Sequence, residues 1–314
     1  MLAVASGGDQ LEWRCTTVDG RDAFYGTAGD GLAVLFLHGW ALGQRSYQRA
    51  LRRLVQMGCQ VFAPSLPGFG GTPNLREPPT FEGYADWVAK FLDAVGVDEP
   101  AFVAGHSFGG GVAIKLAHDH PERVRYLVLV NSVGGTTWSW GNLVHALTSR
   151  PPWTWPFHAA EELVPLRYLR YMVPVIVEDA VPNLVRNPLG LWSVINLVRR
   201  SDLIAELQEL KRRQLPVVAL WGDHDTVIPQ ASFSALCRAI GSEGEVVEGR
   251  HSWLLADPDA FGAILTNSIA VAKLARGRKD QGEAGPADQT ARTSRQTNGS
   301  TTASTAAMTS HDTS

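Results

Sequence analysis

Short, unbroken apolar runs, each stopped by glycine or proline and followed by helical periodicity, limit what this chain can fold into more than any other feature. Val34-Leu35-Phe36-Leu37 ends at His38-Gly39, and Tyr47, Ala50, Leu51, Leu54 and Val55 then recur at helical spacing up to Gly58. Val61-Phe62-Ala63 is halted by Pro64, and a second helical stretch through Tyr84, Val88, Phe91, Leu92 and Val95 closes at Gly96. Ala101-Phe102-Val103-Ala104, a helix-like segment from Phe108 to His118, and the run Val124 to Val130 complete the series. A strand that is apolar on both faces has to be covered on both. Helices alternating with such strands predict a parallel, doubly wound α/β sheet.

The regularity lapses between Ser132 and Leu215. Pro151, Pro152, Pro156, Pro165, Pro174, Pro182 and Pro188 cut this stretch into short pieces, and it carries Trp138, Trp140, Trp153, Trp155 and Trp192. Order returns with an apolar strand Val217 to Trp221, a helix near Gln230 to Ile240 and a strand Glu245 to Glu248. A final helix follows, opened by Asp257-Pro258, with Phe261, Ile264, Leu265 and Ile269 as its buried stripe. From Gly277 to Ser314 no aromatic residue occurs and Met308 is the one large aliphatic side chain, too little to offset chain entropy. The expected organisation is a core in two parts, 1–131 and 216–276, an inserted helical cap over 132–215, and a disordered tail over 277–314.

Charge and cysteine usage exclude several classes of function. Twenty-eight Lys+Arg against 31 Asp+Glu give a net charge of −3, which is not that of a nucleic-acid binder. There is no 18-residue apolar run for stable membrane insertion, and Met1 to Gln10 lacks the pattern of a secretory signal. Cys15, Cys59 and Cys237 are odd in number and scattered, which suits a reducing cytoplasm and describes neither a disulfide framework nor a metal knuckle. No metal or cofactor is expected. The oligomeric state is not legible.

Chemistry concentrates in a few loops. Gly105-His106-Ser107-Phe108-Gly109 places a serine between an apolar strand and a helix. A side chain at either glycine would collide in so sharp a turn, and the helix start aims its unpaired N–H groups at charge developing beside the serine. A serine hydroxyl needs a base oriented by a third group. His251, in the Gly249-Arg250-His251-Ser252 loop between the last strand and the last helix, is the best-placed histidine. His106 is expected to point away from the serine, and His38 to order the Gly39 loop. The acid should end a strand between the two. Asp223 and Asp225 both qualify, and Asp225 is favoured because Asp223 lies where a turn cap is needed. The oxyanion donors are expected to be the backbone N–H of Phe108 and of Trp40, the latter in the loop after Val34–Leu37.

His38-Gly39-Trp40, the run from Gly105 to Gly110, Gly222-Asp223-His224-Asp225-Thr226-Val227-Ile228-Pro229 and the Gly249 to Trp253 segment resemble the α/β-hydrolase family, over roughly residues 10 to 275. The resemblance implies an eight-stranded, mostly parallel sheet with a cap after the sixth strand. It also implies Ser107, Asp225 and His251 as nucleophile, acid and base, with oxyanion donors at Trp40 and Phe108. A serine rather than an aspartate nucleophile points to acyl transfer, so the expected activity is hydrolysis of a hydrophobic carboxylic ester through an acyl-enzyme. Trp138, Trp140, Trp153, Trp155 and Trp192 are the expected lining of an apolar pocket for that small hydrophobic substrate. Two alternatives stand beside this. One is carbon–carbon bond hydrolysis of ring-cleavage dienoates, for which Arg167, Arg170 or Arg186 would grip a carboxylate. The other is a hydrolase-like receptor that binds a small molecule.

Overall fold

The computed structural model describes residues 10–135 and 176–280. Eight strands form one sheet in the order β1-β2-β4-β3-β5-β6-β7-β8: β1 Glu12–Val18, β2 Arg21–Ala28, β3 Leu32–Leu37, β4 Cys59–Pro64, β5 Ala101–His106, β6 Val124–Val130, β7 Val217–Gly222 and β8 Glu245–Val247. From β4 through β8 every neighbouring pair is parallel, and β1–β2 and β2–β4 are antiparallel. Leu35, Leu37, Val103 and Leu127 are fully buried in these strands, as their unbroken apolar text requires. The apolar runs name no strand before Val34. β1 is the edge strand and is largely exposed, so its Glu12, Arg14, Thr16 and Thr17 dilute the apolar signal, while β2 is paired on both sides and its text is broken up by Arg21, Asp22, Gly26 and Thr27. Their Asp19-Gly20 turn, with both residues at positive φ (51° and 73°), is the hairpin signal that the text did offer.

The helices α1 Gln48–Gln56, α2 Phe81–Ala94, α3 Phe108–Asp119 and α7 Gln230–Ile240 fall where the periodicity puts them. Thr80 caps α2, accepting from the Gly83 amide at 3.0 Å, and α7 stops at Gly241 in the left-handed region. In the second half of the expected cap lie a helical turn at Ile176–Ala180, α4 Val181–Arg186, α5 Pro188–Arg199 and α6 Ile204–Arg212.

The expected cap ends at 215, and α6 packs with the core: Leu203, Leu207 and Leu210 are buried in the main apolar cluster, and Glu206 pairs with Lys115 of α3 at 3.2 Å. Leu191, Val194 and Val198 of α5 belong to the same apolar cluster. The Trp138, Trp140, Trp153 and Trp155 of the expected pocket lie outside the described residues. So do Arg167, Arg170 and the tail beyond 280.

The chain divides into two compact units at Ile269/Ala270. The first contains the sheet, α1 to α7, the short helix α8 Trp253–Ala256 and the start of α9 Pro258–Asp280. Asp257 caps α9 through the Ala260 amide at 2.9 Å, and Phe261, Leu265 and Ile269 are buried while Ile264 is half-buried. In the second unit α9 continues to Asp280, past the expected tail start at Gly277. The helix-forming Arg276, Arg278 and Lys279 carry the backbone across that glycine.

Candidate active site

β5 runs into α3 through Ser107, whose φ of 55° and ψ of −117° place a non-glycine residue in strained backbone geometry. The turn is tight enough to demand its glycines. A Cβ on Gly105 would lie 2.5 Å from the Gly109 carbonyl oxygen, and one on Gly109 would lie 2.2 Å from the Leu37 carbonyl oxygen. The second contact shows how closely the start of α3 approaches the end of β3. Phe108 opens α3, where first-turn amides have no partner within the helix. Its ring locks the backbone in place by packing on Tyr84, Phe81 and Phe69 at centroid distances of 5.0, 6.0 and 6.1 Å.

Three side chains distant in sequence meet above this turn. Ser107 Oγ lies 3.0 Å from His251 Nε2, and His251 Nδ1 lies 2.9 Å from Asp225 Oδ2. All three residues are buried. Asp225 is held from four directions: Oδ1 accepts from the amides of Val227 (2.7 Å) and Ile228 (2.9 Å), and Oδ2 accepts from His251 and from Asn131 Nδ2. Burial opposes its charge, but His251, Asn131 and the Ile228 amide outweigh burial and hold the carboxyl below its ordinary range. Asp223, by contrast, is exposed and bonds the Gly249 amide at 2.9 Å, tying the β7 and β8 ends together.

Asn131 was not singled out by the sequence, although it directly follows the apolar run of β6. It sits at φ 45°, and its Oδ1 accepts from the Trp253 indole at 2.8 Å. An indole N–H can only donate, so this contact fixes which end of the amide faces Asp225.

The loop after β3 is organised by two buried histidines. The Leu66 amide donates to His38 Nε2 at 2.9 Å, which leaves the hydrogen on Nδ1, donated to the Gly39 carbonyl oxygen at 2.9 Å. That carbonyl belongs to the same peptide group as the Trp40 N–H, so His38 sets the direction of the Trp40 amide as well. His38 thus orders the Gly39 loop as the sequence suggests. The Gly39 amide donates to Tyr47 Oη at 3.0 Å, Tyr47 donates to His106 Nδ1 at 2.8 Å, and His106 Nε2 donates to the His251 carbonyl oxygen at 2.9 Å. His106 therefore takes its hydrogen bonds from Tyr47 and the His251 backbone. Burial pushes His38 down to about 4, and burial with the nearby His251 pushes His106 down to about 3.

Comparison with known proteins agrees with this architecture. Residues 33–167 match the family model described as alpha/beta hydrolase fold. The pimeloyl-(acyl-carrier protein) methyl ester esterase of Aromatoleum aromaticum is 30% identical over 217 residues, covering 63% of this chain and 82% of the relative. The chain belongs to the α/β-hydrolase family. This hydrolase is also 27% identical over 258 residues to a putative non-heme haloperoxidase of Mycobacterium phage D29, covering 77% and 88% of the two chains. Its fold is shared with a thermophilic esterase from Thermogutta terrifontis, at a TM-score of 0.67 and 21% identity over 82% of this chain and 98% of the other.

In this α/β-hydrolase, Trp192 is the one residue of the expected pocket within the described residues. It is 57% exposed on α5, whereas Leu191, Val194 and Val198 of the same helix are buried. Arg186, the one described candidate for gripping a substrate carboxylate, is exposed at the end of α4. Trp40 is half-buried, and its indole Nε1 donates to the Leu191 carbonyl oxygen at 3.0 Å. Among the described residues no three His, Cys, Asp or Glu side chains converge as metal ligands, and no helix is long and apolar enough to cross a membrane.

Proposed function

We propose that this α/β-hydrolase cleaves carboxylic esters through an acyl-enzyme on Ser107. The observation that carries the reading is the continuous path from Ser107 Oγ to His251 Nε2 (3.0 Å) and from His251 Nδ1 to Asp225 Oδ2 (2.9 Å). Ser107 attacks the carbonyl carbon while His251 takes the hydroxyl proton, and Asp225 stabilises the imidazolium that forms. The carbonyl oxygen becomes an oxyanion, held by the N–H groups of Phe108 and Trp40. Collapse expels the alcohol, which leaves with the proton from His251. Water, deprotonated by the same imidazole, then attacks the acyl-enzyme and releases the acid.

The esterase relative supports an ester over the dienoate alternative, and Arg186, the one described arginine expected to grip a carboxylate, is exposed at the end of α4. The sequence's Trp138, Trp140, Trp153 and Trp155 support an apolar acyl or alcohol portion, to which the exposed Trp192 does not contribute. Hydrolysis of p-nitrophenyl esters from acetate to octanoate by wild type and Ser107→Ala tests the reading. Serine-dependent turnover that holds or rises with acyl length is expected. Equal background rates from both proteins overturn the acyl-enzyme, and a steady fall with chain length overturns the hydrophobic substrate.

A further inference from the structure

The segment 176–187 is amphipathic in the reverse sense. Asp179, Asn183 and Asn187, four residues apart, turn toward the core, and Asp179 and Asn183 are only 8% and 6% exposed. Val177, before them, and Val181, Leu184 and Val185, between them, are exposed. Each inward polar side chain grips loop backbone. Asp179 Oδ2 accepts from the Gly43 amide at 2.8 Å and from Ser46 Oγ. Asn183 donates to the Ala41 carbonyl oxygen and accepts from the Gly70 amide, both at 3.0 Å. Asn187 donates to the Gly68 carbonyl oxygen at 3.0 Å.

Three of these contacts fall on residues 41 to 46, directly after Trp40. Gly43 is matched to its partner: a Cβ there would lie 2.8 Å from Asp179 Oδ1. Gly43 also precedes the 3-10 turn Gln44–Tyr47, which has no side-chain cap of its own within the loop. Asp179 meets it from 136 positions away. Ala41 has a φ of 64°, a left-handed conformation that a β-carbon disfavours, and Asn183 holds its carbonyl. A strained loop stays in place only while its surroundings over-determine it, and here Asp179 and Asn183 supply part of those surroundings, beside Ser65, which donates to Gln44, and Trp13, beneath Arg45.

We propose that Asp179 and Asn183 are positioning residues that hold the Trp40–Ser46 loop, and with it the second oxyanion amide, in working geometry. The inference rests on the acyl-transfer reading above. It makes transition-state stabilisation depend on attachment of the 176–187 segment, while Ser107, His251 and Asp225 are held without it.

The test compares wild type, Asp179→Ala, Asp179→Asn and the neighbouring surface variant Glu178→Ala, with Ser107→Ala as reference. Hydrolysis of p-nitrophenyl butyrate is measured beside inhibition by 1,1,1-trifluoro-2-hexanone, which forms an oxyanion-bearing adduct on the serine. The matching alcohol, 1,1,1-trifluoro-2-hexanol, forms none. Asp179→Ala is expected to lower kcat about 10- to 100-fold with KM nearly unchanged, less than the 10²–10³ cost of deleting an oxyanion donor outright. It is expected to weaken the ketone by the same factor and leave the alcohol unaffected. Asp179→Asn, which keeps an acceptor oxygen, should restore most of the loss, and Glu178→Ala should match wild type. Equal weakening of ketone and alcohol, or kcat within twofold of wild type in folded Asp179→Ala, overturns the proposal. If Asp179→Ala does not fold, Ser46→Ala replaces it: a smaller loss confined to the ketone supports the proposal, and no ketone-specific loss overturns it. Hydrolysis by Ser107→Ala at a rate close to wild type would overturn the acyl-enzyme itself. Inactive Ser107→Ala with an indifferent Asp179→Ala removes only the positioning role.

Discussion

The two halves of the candidate site are anchored by different parts of the molecule. Ser107, His251 and Asp225 sit on strand ends and are fixed by the sheet's own backbone and neighbours. Asp225 takes two backbone amides and Asn131, and His106 bonds the His251 carbonyl oxygen. The loop from Trp40 to Ser46 is anchored from both sides: the core holds it through His38 and Tyr47 at Gly39, Ser65 at Gln44 and Trp13 beneath Arg45, and Asp179, Asn183 and Leu191 hold Gly43, Ala41 and Trp40. In the proposed mechanism, bond making and proton transfer belong to residues held by the sheet, and stabilisation of developing charge draws in part on the 176–187 segment.

Perturbing the sheet-held half should be the more damaging. Ser107→Ala or His251→Ala is expected to reduce kcat by about 10⁴-fold or more, measured by ester hydrolysis at saturating substrate. Asp225→Asn puts an NH₂ group among donors and should cost roughly 10³- to 10⁴-fold with the fold retained by circular dichroism.

Stability responds to the two buried histidines, His38 behind the loop and His106 behind His251. His38 and His106 are held neutral in the folded chain, at about 4 and about 3 from an ordinary 6.5, so the unfolded chain binds more protons as pH falls below 6.5. Their contribution is fully present above that pH and drains away toward the folded values. A loss on the order of 3 kcal/mol by pH 5 is expected in urea melts, with a shallower slope for His106→Gln. Asp223→Asn, at an exposed turn, should leave kcat within about threefold of wild type. If Asp223→Asn is inactive and Asp225→Asn active, the two acids exchange roles.

What was legible in the sequence follows from what is local. Continuous apolar runs gave away β3 to β7 and their helices, because both faces of such strands must be covered. Ser107 and His251 were visible because a strained turn between glycines, and a loop between the last strand and the last helix, are features of neighbouring residues. β1 was hidden because an edge strand shows its polar side chains to water, and β2 because Arg21, Asp22, Gly26 and Thr27 interrupt its apolar text although the strand is mostly buried. Asn131, Tyr47, Asp179 and Asn183 were hidden for another reason. Their importance lies in partners 59 to 142 positions away, which no window of sequence contains.

The reversed amphipathy of residues 176–187 has a thermodynamic consequence. Ordinarily a helix adheres to its protein because peeling it away wets hydrocarbon. Here the valines and Leu184 already face solvent, and the surfaces that would part carry amide and carboxylate groups that water solvates nearly as well. Detachment of this stretch would therefore be weakly opposed and largely free of the heat-capacity change that accompanies apolar exposure.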